Sequence, residues 1–180
     1  MNIFQFRRKT LESDIEIKIN FKGKGIFKIK TFIYFFDHII SQFFNYSLID
    51  CFLRVFSDLK IDNHHSIEDI GICLGKTFNY YKFNRYNSFF LCMDETFVFI
   101  TIDICNRFYY FDNINYYDYD FILIKEFFLS FSKNLNCCIH IYIINFINKH
   151  HLIECIFKSF GSLFYKAKKY NKILSTKGYI

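Results

Sequence analysis

The chain has 180 residues, of which 52% are hydrophobic and 23% aromatic, and its formal net charge is +6. This length fits one compact unit or two small halves that pack closely, with ample apolar side chains for a core. The start lacks the apolar stretch of a secretory signal, and no uncharged run reaches membrane-spanning length, so we expect a soluble protein with no membrane association. The seven cysteines form no CxxC pair and are odd in number, which indicates reduced thiols and a cytoplasmic location.

The first half of the chain predicts strands followed by helices. Ile15, Ile17 and Ile19 alternate with polar residues, which is typical of a half-buried strand. A turn at Gly23–Gly25 then predicts a returning strand at 26–29. The remaining elements are a helix at 35–44, a strand at 51–55 and a polar approach at 58–63, where Asp62 or Asn63 is placed to cap the next helix.

The second half predicts similar elements. They are strands at 96–103 and 108–111, a helix at 120–132, a strand at 137–144 and a final helix that Asn148 can cap. No Ser/Gly linker divides the chain, so residues 1–180 are expected to form a single domain with an internal repeat, roughly 1–90 and 91–180. The order is not a strict βαβα alternation, which favours an α+β fold of two duplicated halves, each a β-sheet with helices on one face, packed as one unit.

A short histidine motif occurs twice, 86 residues apart, as His64-His65-Ser66-Ile67-Glu68 and as His150-His151-Leu152-Ile153-Glu154. On a helix, the first histidine and the glutamate of each copy are four residues apart and share a face. The two adjacent histidines point about 100° apart, so one ion cannot easily take both imidazoles. Each motif therefore serves two metal ions, or the ions lie between motifs or between subunits. Imidazole and carboxylate together suit zinc, iron or manganese.

The remaining histidines are His38, which follows an aspartate, and His140, in an apolar run. Without a metal, the two motifs would be polar helix starts with exposed histidines. The lysines between residues 166 and 172 are interpreted as a solvated helix end. Nucleic-acid binding through them would weaken steeply with salt, and no nucleic-acid module accompanies them, so we expect no nucleic-acid partner.

From Arg8 to its last residue, the chain resembles the imidazoleglycerol-phosphate dehydratase family. The motifs that carry the resemblance occur in order: RKTLES from Arg8, FDHIISQ from Phe36, IDNHHSIED from Ile61, MDE from Met93, DICNR from Asp103, NKHHLIE from Asn148 and STKG from Ser175. The resemblance implies a duplicated α+β fold, which agrees with the repeat. It also implies a lyase of histidine biosynthesis that dehydrates imidazole glycerol phosphate to imidazole acetol phosphate.

The resemblance further implies two manganese ions in each active site, each held by three imidazoles and one carboxylate. The implied ligands are His38, His64, His65, Glu68, His140, His150, His151 and Glu154. The active sites would lie between the subunits of a homo-oligomer of 24 chains. Metal ions acting as Lewis acids would hold the substrate ring as imidazolate, which can expel the neighbouring hydroxyl.

Other residues acquire roles from the same resemblance. Glu12 would carry the protons in catalysis, and Gln42 would contact the substrate. Arg85, Arg107 and Lys177 would bind the phosphate with Ser175, since guanidinium forks suit phosphate oxygens.

The chain departs from the family pattern at several positions. Phe32 and Tyr34 stand where glycines are usual, which matters if those positions need positive φ. Tyr46 replaces a histidine, and Cys92 and Leu174 replace prolines. An alternative to an active enzyme is therefore a catalytically weakened remnant that still assembles and binds metal.

Overall fold

The computed structural model describes residues 3–57, 63–115 and 118–169. Its two halves contain the same elements in the same order. The first half comprises β1 (Ile3–Lys9), β2 (Ser13–Asn20), β3 (Phe27–Lys30), α1 (Tyr34–Ser47), β4 (Asp50–Ser57) and α2 (His64–Phe78). The second comprises β5 (Tyr86–Met93), β6 (Thr96–Ile104), β7 (Tyr109–Asp112), α3 (Tyr119–Leu135), β8 (Cys137–Asn145) and α4 (Lys149–Ala167).

Each half forms one four-stranded sheet, with the strand orders β1-β2-β4-β3 and β5-β6-β8-β7. In both sheets the short third strand pairs in parallel and the other pairs are antiparallel. The predicted α+β fold and its duplication are confirmed. The predicted hairpin is wrong, because β1 and β4 occupy both edges of β2 and the returning strand pairs with β4 instead.

The helices lie between the two sheets and meet across the boundary between the halves. Helix α1 packs on α4 and α2 packs on α3, while α2 also contacts β2 and α4 contacts β5 and β6. Helix α4 approaches α1 closely at Gly161, where a Cβ would lie 2.5 Å from the carbonyl oxygen of Phe43. Within the described residues, no helix is long and apolar enough to cross a membrane.

Phenylalanine side chains from all four helices form the centre of the core. Phe43, Phe78, Phe131 and Phe164 are fully buried, one from each helix. Their rings are in mutual contact, with centroids 5.1 Å apart for Phe78 and Phe164 and 5.4 Å apart for Phe78 and Phe131. Most of these pairs are edge-to-face, the arrangement that the ring quadrupoles favour.

The outer faces of the two sheets differ in chemistry. On the first sheet, Arg7 bonds Asp14 and Arg54 bonds Glu16, at 2.6 and 3.1 Å. On the second sheet the corresponding face is aromatic. Its contacts run from Phe90 to Phe99, from Phe99 to Tyr142 and from Tyr142 to Phe111, with ring centroids 4.1, 6.3 and 5.2 Å apart. The first face combines these ion pairs with the exposed ring of Phe56, whereas the second leaves a connected set of rings for another surface to cover.

Phe32, one of the two residues at glycine positions of the family pattern, has a φ of 66°. Asp37 holds this loop, because its carboxylate accepts hydrogen bonds from the backbone N–H and the hydroxyl of Thr31 at 2.9 and 2.7 Å. Tyr34 is the first residue of α1 and is not among the residues with positive φ. The expected strain therefore applies to Phe32 and not to Tyr34.

Leu48 ends α1 with a φ of 50°, at the position where Asn136 ends α3 with a φ of 57°. Asparagine tolerates this left-handed conformation, whereas a branched aliphatic residue is strained in it. We expect Leu48→Asn to raise the free energy of unfolding by about 0.5–1 kcal/mol, measured by denaturant titration. The reverse change, Asn136→Leu, should lower it by a similar amount. Equal stabilities of Leu48→Asn and the parent chain would contradict this prediction.

Candidate metal centre and active site

Three potential metal ligands from α1 and α4 lie together. The Oε2 atom of Glu154 is 3.8 Å from Nε2 of His38 and 3.3 Å from Nε2 of His150. The donor atoms of the three side chains all lie within 4.8 Å of one another. The packing of α1 on α4 brings His38 to the second motif, although 112 residues separate it from His150 in the chain.

Asn148 forms the N-terminal cap that places both histidines of this motif. Its side-chain oxygen accepts hydrogen bonds from the backbone N–H groups of His150 and His151, at 2.8 and 3.4 Å. This confirms the predicted cap. Asn63 occupies the corresponding position before α2, but its side chain makes no capping hydrogen bond, and Asp62 lies outside the described residues.

A neighbouring lysine favours the ionised form of Glu154. Burial alone would raise the pKa of Glu154, but the hydrogen bond from Nζ of Lys158 to its Oε1 at 2.7 Å, with the nearby positive charge, lowers that pKa overall. A carboxylate rather than a carboxylic acid is what a cation requires. This lysine lies four residues after the glutamate that ends the second histidine motif, and sequence reasoning gave it no role.

The first copy of the motif opens α2 with a different environment. The Nε2 atom of His64 lies 4.0 Å from Oε2 of Glu68, four residues on. His64 and His65 contact different carboxylates, so their side chains point in different directions, as the helical geometry predicts. His65 faces Glu12 instead, with 3.5 Å between Nδ1 and Oε2.

The turn that carries Glu12 is held by side chains of the RKTLES motif that begins at Arg8. The hydroxyl oxygen of Thr10 accepts hydrogen bonds from the backbone N–H groups of Glu12 and Ser13, at 3.1 and 2.9 Å. Asp69 of α2 fixes this turn against the helix, since it accepts from Arg8 at 2.7 Å and from the Ser13 hydroxyl at 2.5 Å. Sequence reasoning assigned Arg8 and Asp69 no function. The signal in the sequence was that Asp69 lies on the apolar face of the predicted helix, where an acid needs a partner.

A second three-residue cluster contains Asp94, Glu95 and His151. Nδ1 of His151 is 3.0 Å from Oε2 of Glu95 and 3.9 Å from Oδ2 of Asp94. The hydrogen bond with His151 lowers the pKa of Glu95 to about 2, and the same bond raises the pKa of His151. Both acids belong to the MDE motif, which marked this turn in the sequence without indicating its partner.

Of the predicted phosphate-binding residues, the structure describes Arg85, which precedes β5, and Arg107, which follows β6. Arg85 donates from Nε to Asp103 at 2.8 Å, and this hydrogen bond raises its pKa. Arg107 is exposed in the loop after β6. Gln42 is half-buried on α1, one turn after His38. Ser175 and Lys177 lie outside the described residues.

His140 stands apart from the other predicted ligands. It lies on the outer face of β8, with its ring centroid 5.2 Å from that of Tyr109 and 5.9 Å from that of Phe111. In the described part of the chain, neither three-ligand cluster includes it. Its predicted role as a ligand therefore needs further ligands that residues 3–57, 63–115 and 118–169 of this chain do not bring to it.

Comparisons with known proteins agree on one family. The family model described as imidazoleglycerol-phosphate dehydratase matches residues 31–164. An imidazoleglycerol-phosphate dehydratase of Caldanaerobacter subterraneus is 35% identical over 193 aligned residues, which cover 97% of each chain. The protein of that name from Clostridium kluyveri is 36% identical over 194 aligned residues, which cover the whole of both chains.

Solved structures show the same relationship. The crystal structure of IGPD from Pyrococcus furiosus in complex with (S)-C348 superposes with a TM-score of 0.86 and 33% identity, covering 97% of this chain and 100% of that one. The Staphylococcus aureus imidazoleglycerol-phosphate dehydratase gives a TM-score of 0.81 and 29% identity, covering 93% of this chain and 98% of that one.

Proposed function

Because the chain belongs to the imidazoleglycerol-phosphate dehydratase family, a family of hydro-lyases in histidine biosynthesis, we propose that it dehydrates D-erythro-imidazole glycerol phosphate with the help of two manganese ions per active site. The product is imidazole acetol phosphate. The observation that carries the metal-dependent part of this proposal is the convergence of His38, His150 and Glu154 from two separate helices.

The donor set fits manganese. Imidazole and carboxylate groups are ligands that this metal accepts, and the ion pair with Lys158 favours the ionised form of Glu154. His64 and Glu68 share a face at the start of α2 and would contribute to the second ion. When bound, the metal supplies Lewis-acid polarisation of the substrate's imidazole ring.

Glu12 is the proposed proton carrier. Its side chain is 61% exposed, so a substrate can reach it, while the turn around it is held by Thr10 and Asp69. The carboxylate takes the proton from the substrate carbon, and the neighbouring hydroxyl leaves as water after protonation. Arg85, Arg107, Ser175 and Lys177 hold the phosphate, and Gln42 contacts the substrate from α1.

Assembly completes the proposed site. The cluster of His38, His150 and Glu154 has one imidazole fewer than the set of three that the family resemblance implies. The exposed His65 and the remote His140 can supply imidazoles to neighbouring copies in a homo-oligomer of 24 subunits. The aromatic outer face of the second sheet supports such an assembly, because its rings are available for a neighbouring subunit to cover. We propose a cytoplasmic location for the enzyme.

Dehydration by metal-stripped protein, before and after manganese is added, tests this function. We expect no turnover of imidazole glycerol phosphate without metal and full turnover with two bound ions per chain, since the metal would supply the Lewis-acid polarisation of the imidazole ring. The measurement is product formation together with the metal content of the protein.

Folded, manganese-loaded protein that does not turn over the substrate would refute the active-enzyme proposal. That result would favour the weakened remnant, for which the strained Phe32 is the most specific observation. Turnover that is unchanged by metal removal would refute the role of manganese.

A further inference from the structure

We propose that Glu95 is a positioning residue that holds the imidazole of His151 in the orientation and tautomer needed to bind metal. This inference rests on the proposed function, which makes His151 a manganese ligand. Glu95 itself does not touch the substrate or the ion in this role.

The geometry around Glu95 is that of a fixed carboxylate. Its two oxygens lie 3.2 and 3.0 Å from Nδ1 of His151. Oε1 also accepts from the backbone N–H of Asn148 at 2.8 Å, and the Glu95 carbonyl accepts from the side chain of Asn145 at 2.8 Å. The carboxylate therefore bridges the turn between β5 and β6 to the start of α4.

The hydrogen bond determines which nitrogen of His151 remains available. If Nδ1 carries the proton and donates it to Glu95, Nε2 presents its lone pair to a metal. A carboxylate on the far nitrogen also makes the imidazole a stronger donor to the ion, and losing such a partner typically weakens metal binding about 10- to 100-fold.

The duplicated fold gives Glu95 a counterpart, and that counterpart is Glu12. Each glutamate immediately precedes the second strand of its sheet, and each faces Nδ1 of the second histidine in its motif. Their environments differ, however. Glu95 has a short bond to its histidine and a backbone N–H donor, whereas Glu12 is 3.5 Å from His65 and largely exposed. The two equivalent carboxylates have thus separated into one that positions a ligand and one that can move protons.

Manganese affinity distinguishes positioning from simple anchoring of the loop. Equilibrium dialysis of the metal-stripped full chain against manganese would be compared for the parent, Glu95→Ala and Glu95→Gln. We expect Glu95→Ala to weaken one of two sites about 10- to 100-fold, and Glu95→Gln to lie between it and the parent, because the amide oxygen can still accept from His151. Excess manganese should restore much of the activity of Glu95→Ala.

Asp94→Asn is the matched control, since Asp94 is 73% exposed, 3.9 Å from His151, and has a φ of 51° that asparagine tolerates. It should bind manganese within about twofold of the parent, because it makes no hydrogen bond with the imidazole.

Several outcomes would overturn the inference. Parent-like manganese affinity in both Glu95 variants would do so, even if their melting temperatures fell, because that is what a loop anchor predicts. If Glu95→Ala does not fold, Glu95→Gln decides: weakened binding at one site supports positioning, and parent-like binding overturns it. A parent chain that binds no manganese would refute the metal part of the proposed function, which is a separate result from a variant that binds normally.

Discussion

Replacement of Glu12 by glutamine is expected to lower the rate of dehydration about 10²- to 10⁴-fold, the usual contribution of a general acid–base group. Glutamine keeps the size of the side chain but cannot take or deliver a proton. The turn should persist, because Thr10 and Ser13 hold it through the backbone of residue 12 and through Asp69, and not through the carboxylate. The measurement is the turnover rate at saturating substrate and manganese.

Two controls separate this effect from damage to the site. The manganese affinity of Glu12→Gln should equal that of the parent, since Glu12 is not a predicted ligand. Glu16→Gln is the second control. Glu16 lies on the outer face of β2 in the same half, where it forms an ion pair with Arg54 of β4, so its replacement should leave turnover unchanged. Parent-like turnover in Glu12→Gln would contradict the assignment and favour the remnant with no working proton carrier.

Replacement of Gly161 by alanine is expected to damage both the fold and the metal centre. The new Cβ would meet the carbonyl oxygen of Phe43 at 2.5 Å and Cβ of Tyr46 at 2.9 Å, so α4 and α1 must move apart. Alanine normally stabilises a helix interior by about 1 kcal/mol relative to glycine. Because the atom it meets is a backbone carbonyl, the overpacking should cost close to the upper end of the usual range, about 3 kcal/mol, and we expect a net loss of about 2 kcal/mol in a denaturant titration.

The same displacement moves His38 away from His150 and Glu154, because the first lies on α1 and the others on α4. Manganese binding at this cluster should therefore weaken more than stability alone explains. Gly75→Ala is the matched control. Its Cβ would meet the Phe131 carbonyl at 2.6 Å on α3. Helix α2 carries His64, His65 and Glu68, but α3 carries no predicted ligand, so separating these two helices does not divide a ligand cluster between them. We expect a similar loss of stability there and a smaller loss of manganese affinity, and equal losses of affinity would contradict the argument.

Local features of the fold could be predicted from the sequence where one physical pattern dominates. The alternation of Ile15, Ile17 and Ile19 defined β2, and Asn148 followed by a helical apolar pattern defined the start of α4. Strand β5 was missed, because apolar residues on both of its faces obscure the alternation from Phe89 to Cys92. The partner of β3 was wrong because pairing depends on which edges are free, and adjacency in sequence does not decide that.

The candidate site shows the same limit. Motif spacing placed His150 and Glu154 on one helix face, but only the packing of α1 against α4 brings His38 to them. Likewise, Asp69 and Glu95 are ordinary acids until the fold sets each beside its partner, Arg8 or His151. The sequence carries local geometry well, whereas contacts between distant segments arise from the assembled core.

The packing of α1 on α4 and of α2 on α3, across the boundary between the halves, bears on how the chain arose. A half-length ancestor with one sheet and two helices would have exposed the apolar side of those helices, so it needed a second identical copy to cover them. Its stability would then have depended on its concentration. Joining two copies in one gene would have removed that dependence, because each half then has its partner at a high effective concentration within the same chain. The two histidine motifs would then have been free to diverge. The separate duties that we infer for Glu12 and Glu95 would be a product of that freedom.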